Sequence, residues 1–197
     1  MSQDTEEYKG YVIRIRPDDM FDNPRTAWDN LATIVCVNHP RYKLGDVQTN
    51  DVASYLQSEN IAVCLPVYMY DHNNIALSTK NTYPFNDMWD AGCVGAIFVS
   101  REIVKKEYGW IKITAERKAK LIQYLQSEIE VYSNYLNGNV YGFILENEQG
   151  EELESCWGFY GYDECLTEAK SQIDYYVIER QKAQDWLDKR VLEYASA

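Results

Sequence analysis

The chain has 197 residues and a formal net charge of -12, from 31 acidic and 19 basic side chains. That length is enough to bury a substantial core, and 46% hydrophobic residues with 14% aromatics exclude an intrinsically disordered chain. The charge excludes general attraction to nucleic acid or anionic membrane and favours basic protein surfaces, with solubility alone as the plainer explanation.

Residues 1–7, MSQDTEE, are polar and read as a loose tail. YKGYVIRIRPDD then sets Tyr11, Ile13 and Ile15 against Val12, Arg14 and Arg16, the alternation of a half-exposed strand. Pro17 and Pro24 punctuate a turn-rich connection. LATIVCV, residues 31–37, is β-branched and apolar throughout and predicts a buried strand. NHPRYKLGD is a loop, and DVASYLQSEN predicts a short helix capped by Asn50 or Asp51. Two strands follow, 61–70 and 74–79, joined around Asp71-His72-Asn73. Pro66 places its part of the first of them at an edge or a bulge.

NTYPFNDMWDAG reads as a loop and VGAIFVS as a strand. Ser100 caps a short helix, REIVKKEY, which Gly109 ends. The longest clear helix runs from Thr114 to Leu136, with Leu121, Leu125, Ile129, Tyr132 and Leu136 on one stripe. NVYGFILENEQGEELESCWGFYG predicts a hairpin turning near Gln149-Gly150. A final helix spans about Asp163 to Tyr194, with Leu166, Ala169, Ile173, Tyr176, Ala183, Leu187 and Val191 expected on its core face. Strands dominate the first half and no βαβ rhythm repeats. The expectation is an α+β fold, a mainly antiparallel sheet packed with a few helices, two of them long and in the C-terminal half. No linker interrupts it, so residues 1–197 read as a single domain.

The five cysteines, at 36, 64, 93, 156 and 165, show no CxxC spacing, and no apolar run approaches the ~20 residues of a membrane span. Reduced thiols in a cytoplasm are the expectation. Cys93 lies in WDAGCVGAIFVS, where turn precedes strand, the reverse of a nucleophile elbow. It reads as a buried structural residue.

Two other groupings carry candidate chemistry. His39 and His72, the only histidines, lie in loops with Asp46 and Asp71. If the loops converge, the four could hold a divalent metal and support a hydrolase or nuclease, although no metal-ligand spacing such as HExxH accompanies them. Loop histidines that only bond the backbone are the plainer alternative. The stretch REIVKKEYGWIKITAERKAK is the sole basic one, with Tyr108 and Trp110 inside it. Its interspersed Glu102, Glu107 and Glu116 favour a solvated helix face over a nucleic-acid site.

Acidity is densest near the C-terminus, where residues 146–197 hold 13 acidic and 5 basic side chains. Glu146, Glu148, Glu151, Glu152 and Glu154 surround one hairpin tip. There are 17 tyrosines, a residue suited to protein interfaces. Glu148, Glu151, Glu152 and Glu154, with Tyr160 and Tyr162 as anchors, are therefore the expected contacts to a basic protein partner.

The segments PRTAWDNLATIVC, HPRYKLGD, LPVYMYDHNNIALST, FNDMWDAGCVGAIFVSREIVKKEYGW, NVYGFILE and ESCWGFYG together resemble a family of accessory proteins of phages and mobile elements. The resemblance implies a host bacterial cytoplasm and a setting in which inhibitors of host defence, including anti-CRISPR proteins, are frequent. It carries over no catalytic residue. Polar positions within those segments, Asp29, Asn30, His39, Asp46, Asp71, His72 and Asp90, are the candidates it offers. Sequence alone thus leaves three functions open: an acidic inhibitor of a nucleic-acid-handling defence effector such as a type II CRISPR nuclease, needing no cofactor; a metal-dependent hydrolase; and a non-catalytic structural accessory protein.

Overall fold

The computed structural model describes residues 4–72, 74–80 and 91–195. The fold is α+β, as the sequence predicts, with two long helices in the C-terminal half. The chain groups into two compact units: residues 1–21 with 139–197, and residues 22–138 between them. Each unit has its own sheet and its own core.

The first unit is a four-stranded antiparallel sheet in the order β1-β2-β8-β9, with one face packed by α5. Its strands are β1 (Asp4–Tyr8), β2 (Tyr11–Pro17), β8 (Tyr141–Glu146) and β9 (Glu152–Phe159), and α5 is Tyr162–Ala195. The predicted tail is therefore a strand from Asp4 onward. Its turn is Lys9-Gly10, both with positive φ (50° and 82°), the two-residue geometry whose twist suits a hairpin. Alternation along β2 and β8 sends Ile13, Ile15, Phe143 and Leu145 to one face, where they meet Cys165, Ala169 and Ile173 of α5. Each large side chain so buried contributes about 1.5–3 kcal/mol of transfer free energy. Two ion pairs, Lys9–Asp174 (2.7 Å) and Lys170–Glu6 (2.6 Å), tie the β1–β2 hairpin to α5.

The core face expected of α5 forms only over its first half. Ala169 and Ile173 are buried and Leu166 and Tyr176 pack partly, whereas Ala183, Leu187 and Val191 are exposed. A 34-residue helix is about 51 Å long, and strands of five to eight residues support only part of it.

The second unit is a five-stranded sheet in the order β4-β3-β7-β5-β6. It comprises α1 (Pro24–Ala27), β3 (Thr33–Val37), β4 (Val47–Thr49), α2 (Val52–Gln57), β5 (Ile61–His72), β6 (Asn74–Ser78), β7 (Ala91–Ser100), α3 (Arg101–Tyr108) and α4 (Ala115–Leu136). All its pairings are antiparallel except β3–β4. Leu121, Leu125, Ile129 and Tyr132 of α4 pack one face through Ile34, Val63, Val67, Ile97 and Val99. The other face, Val35, Ala96 and Phe98, is covered by Val52, Tyr55 and Leu56 of α2. Burial on both faces explains why β3 and β7 read as continuous apolar runs. Gly95 is required where these strands meet, since a Cβ there would stand 2.0 Å from the Val35 carbonyl oxygen.

Local signals placed the helix ends correctly. Asp51 accepts from Ser54 N, Ser100 from Ile103 N and Thr114 from Arg117 N, and Gly109 ends α3 at φ 67°. Pro66 lies on the part of β5 that pairs with β7 alone, since β6 pairs only from Tyr68 onward, so one side of the strand is an edge there, and a register shift follows at Val67/Tyr68. Most of NTYPFNDMWDAG, with the candidate Asp90, lies outside the described residues.

Candidate interaction surface

The glutamates of the β8–β9 hairpin do not form a uniform anionic tip. Asn147 builds the turn: its side-chain oxygen accepts from Gln149 N (3.0 Å) and Glu151 N (2.9 Å), and its Nδ2 donates to Glu151 Oε2 (2.8 Å). Gly150 completes it at φ 78°. Glu146 is neutralised by a paired contact from Arg14, Nε to Oε1 at 2.6 Å and Nη2 to Oε2 at 2.9 Å, which holds its carboxyl below the usual range. Glu154 is half-buried and accepts from the Tyr176 hydroxyl at 2.6 Å. That hydrogen bond, with burial, pushes the Tyr176 hydroxyl up to about 12. Glu148, Glu151 and Glu152 remain exposed, and among the described residues none of the three forms an ion pair. Glu148 lies against Gly10, beside a cleft of about 320 Å³ that Lys9 and Arg180 also line.

The two expected aromatic anchors differ in exposure. Tyr160 is 5% exposed and meets Phe21 edge-on, so it belongs to the interior of the first unit. Tyr162 is half-buried at the start of α5, edge-on to Tyr141, and burial together with its hydrogen bond to Asp4 pushes its hydroxyl up to about 12. The exposed aromatics of this unit are instead Trp157, Tyr175, Trp186 and Tyr194.

The His39/Asp46/Asp71/His72 set divides. His39 stacks on Tyr42 (5.0 Å between centroids), and its Nδ1 accepts from Arg41 N at 3.3 Å. Tyr42 donates its hydroxyl to Asp71 (3.1 Å), and Arg41 donates to the other oxygen of Asp71 (2.7 Å). The His39 loop and the end of β5 therefore do converge, through an arginine and a tyrosine. His72 lies in β5, with its side chain outside the described residues. Asp46 serves a different structure: both of its oxygens accept from Arg25, at 2.9 and 2.6 Å, and one also accepts from Ile34 N at 2.8 Å. Among the described residues no group of three or more His, Cys, Asp or Glu is placed to hold a metal ion.

Arg25 is the center of that second structure, and sequence reasoning passed over it. Its side chain is 4% exposed. Besides Asp46 it donates to Asn30 Oδ1 (2.9 Å), Glu128 Oε2 (2.6 Å) and the Ala32 carbonyl (2.7 Å). Glu128 also accepts from Leu31 N and Ala32 N. Burial alone would disfavour the guanidinium, but Asp46 and Glu128 outweigh it and raise its pKa further. The candidate Asn30 thus positions Arg25, and Asp29 lies exposed on the rim of an open cleft of about 820 Å³ shared with Trp28 and Tyr108. This network is a clasp joining α1, the β3 entry, the Asp46 turn and α4.

Cys93 enters β7 as expected but is exposed rather than buried, with its thiol 3.6 Å from the Gly95 carbonyl oxygen. The buried thiols are Cys36 and Cys165, each pushed up to about 12 chiefly by burial. In the basic stretch, Trp110 stacks on Tyr108 (4.5 Å) and lies under Arg117 (4.9 Å), while Lys120 sits over Tyr124 (5.9 Å). Its rings are used internally, in keeping with a solvated face.

Charge separates sharply between the units. Residues 1–21 and 139–197 hold 18 acidic and 8 basic side chains, against 13 and 11 in residues 22–138. Among the described residues no helix is long and apolar enough to cross a membrane. The chain matches no protein-family profile, no curated protein and no solved structure.

Proposed function

We propose that the protein is a non-catalytic binding protein whose first unit engages a basic surface of a nucleic-acid-handling partner in the bacterial cytoplasm. The observation that carries the reading is the segregation of charge: a net -10 on one unit, with Glu151 and Glu152 projecting from a hairpin held by Asn147. A surface of one sign attracts an oppositely charged cleft over a Debye length, about 8 Å at physiological salt, and accelerates encounter more than it strengthens the final complex. Resemblance to accessory proteins of phages and mobile elements makes a defence effector the natural partner, and a type II CRISPR nuclease the first to test. Occupation of its nucleic-acid channel would block cleavage without any chemistry on guide or target.

Reversal of Glu148, Glu151 and Glu152 to lysine is the matching experiment. It changes the unit's charge by six at three exposed side chains, one of which, Glu151, also gives up its hydrogen bond from Asn147. The association rate to the immobilised effector should fall roughly tenfold or more at low salt, with less difference at high salt. An unchanged rate would remove the hairpin from the binding surface.

A further inference from the structure

The second half of α5 leaves an apolar stripe without cover. Seven large hydrophobic residues between Tyr175 and Tyr194 are exposed, and three of them, Leu187, Val191 and Tyr194, share one line, while Tyr175, Ile178, Trp186 and Leu192 lie on other faces. At 100° per residue, Ala183, Leu187, Val191 and Tyr194 continue the line of Ala169, Ile173 and Tyr176, which the sheet does cover. The stripe thus leaves the sheet and runs on for about four turns. A helical segment of that length is marginal in water without tertiary packing. We infer that this stripe is the seat of a second copy of the chain, paired antiparallel about Leu187.

Three features favour a second copy over another partner. First, Ile178–Tyr194 holds four acidic and four basic side chains, although its unit is net -10. Several of these are already tied along the helix, Lys182 to Glu179 (2.8 Å), Arg190 to Glu193 (3.5 Å), Gln181 to Asp185 (2.7 Å) and Gln184 to Asp188 (2.8 Å). A balanced surface of this kind does not repel itself and offers nothing to a strongly basic partner. Second, pairing about Leu187 is self-complementary: Ala183 meets the partner's Val191, small against large, and Arg180 meets the ring of the partner's Tyr194. Third, a receptacle already exists at Arg180. The 320 Å³ cleft lined by Lys9, Tyr11, Leu153 and Arg180 opens where the stripe leaves the sheet, and it is roomy enough for the partner's Tyr194, 77% exposed in a single copy. Asn147, Glu148 and Gln149 of the hairpin also line that cleft, so the dimer covers Glu148, whereas Glu151 and Glu152 do not line it. A single helix-to-helix contact belongs with weak interfaces, which bury under about 1,200 Å² in total, and a dissociation constant on the order of micromolar is expected.

Sedimentation equilibrium of the full chain, up to about 200 μM, well above a micromolar constant, tests this. The mass should rise with concentration from 23.0 kDa to twice that value. Leu187→Glu should weaken the dimer roughly a hundredfold, with helicity by circular dichroism kept as a check on folding. Ile178→Glu, half a turn round the helix, should leave the mass curve unchanged. In a double-mutant cycle, Arg180→Ala and Tyr194→Ala should be coupled, because fourteen residues apart on one helix they can meet only across an antiparallel pair. A monomer throughout the range, equal effects of the two glutamate variants, or independent effects of Arg180 and Tyr194 would each overturn the inference.

Discussion

Replacing Arg25 by methionine tests the clasp of the second unit. The substitution removes five hydrogen bonds, three of them to carboxylates, and leaves Asp46 and Glu128 facing the space the guanidinium had filled. Those carboxylates are only 24% and 17% exposed, so water compensates little. Breaking a buried pair from one side costs about 3–5 kcal/mol, because the remaining charges lose their counter-ion while staying desolvated. For a chain of this size that lowers the melting temperature by roughly 6–20 °C. Urea unfolding followed by circular dichroism reads the change directly. A cost below about 1 kcal/mol would refute the account of Arg25 as a compensated buried charge.

Three further outcomes follow from the structure. Ile173→Ala should cost about 2–5 kcal/mol and Leu187→Ala under about 0.5 kcal/mol in dilute monomer; similar costs by urea titration would show that both halves of α5 are packed. Glu146 and Asp174 are held below the usual carboxylate range by hydrogen bonds from Arg14 and Lys9, so their contribution is complete above pH ~4 and lost as pH falls further. Arg14→Ala should therefore flatten the loss of urea stability between about pH 5 and 2, and an unaltered acid profile would contradict the pairing. A thiol reagent should modify Cys64, Cys93 and Cys156 in the native protein, and Cys36 and Cys165 only after unfolding; five thiols reacting at once would place the buried pair wrongly.

Much of the fold was legible because its signals are local. The stripe on α4, the caps at Asp51, Ser100 and Thr114, and the stop at Gly109 each need only a few neighbouring residues. What escaped is non-local. Strand β1 is polar, with Thr5 and Glu7 paired opposite Arg14 and Val12, and its one sequence signal was the Lys9-Gly10 turn between two tyrosines. The division into units depends on β2 pairing with β8, more than a hundred residues away, which no linker marks. Periodicity along α5 was read correctly as amphipathic, but an amphipathic stripe does not say what covers it. Arg25 carries no pattern either, since its partners come from residues 30, 32, 46 and 128. At the candidate surface, clustering reveals the glutamates, while only coordinates separate the exposed Glu151 and Glu152 from the half-buried Glu146 and Glu154, engaged by Arg14 and Tyr176. The burial of Tyr160 has no sequence signal, because a tyrosine reads alike in a core and at an interface.

The most direct test of the central claim is DNA cleavage in vitro by a guide-loaded type II CRISPR nuclease, with and without the protein, followed by a gel of the guide RNA. The account predicts blocked cleavage with intact guide, dependent on stoichiometric protein and relieved by salt or by charge reversal at Glu148, Glu151 and Glu152. Normal cleavage at excess protein, or a shortened guide that signals catalysis, would contradict it.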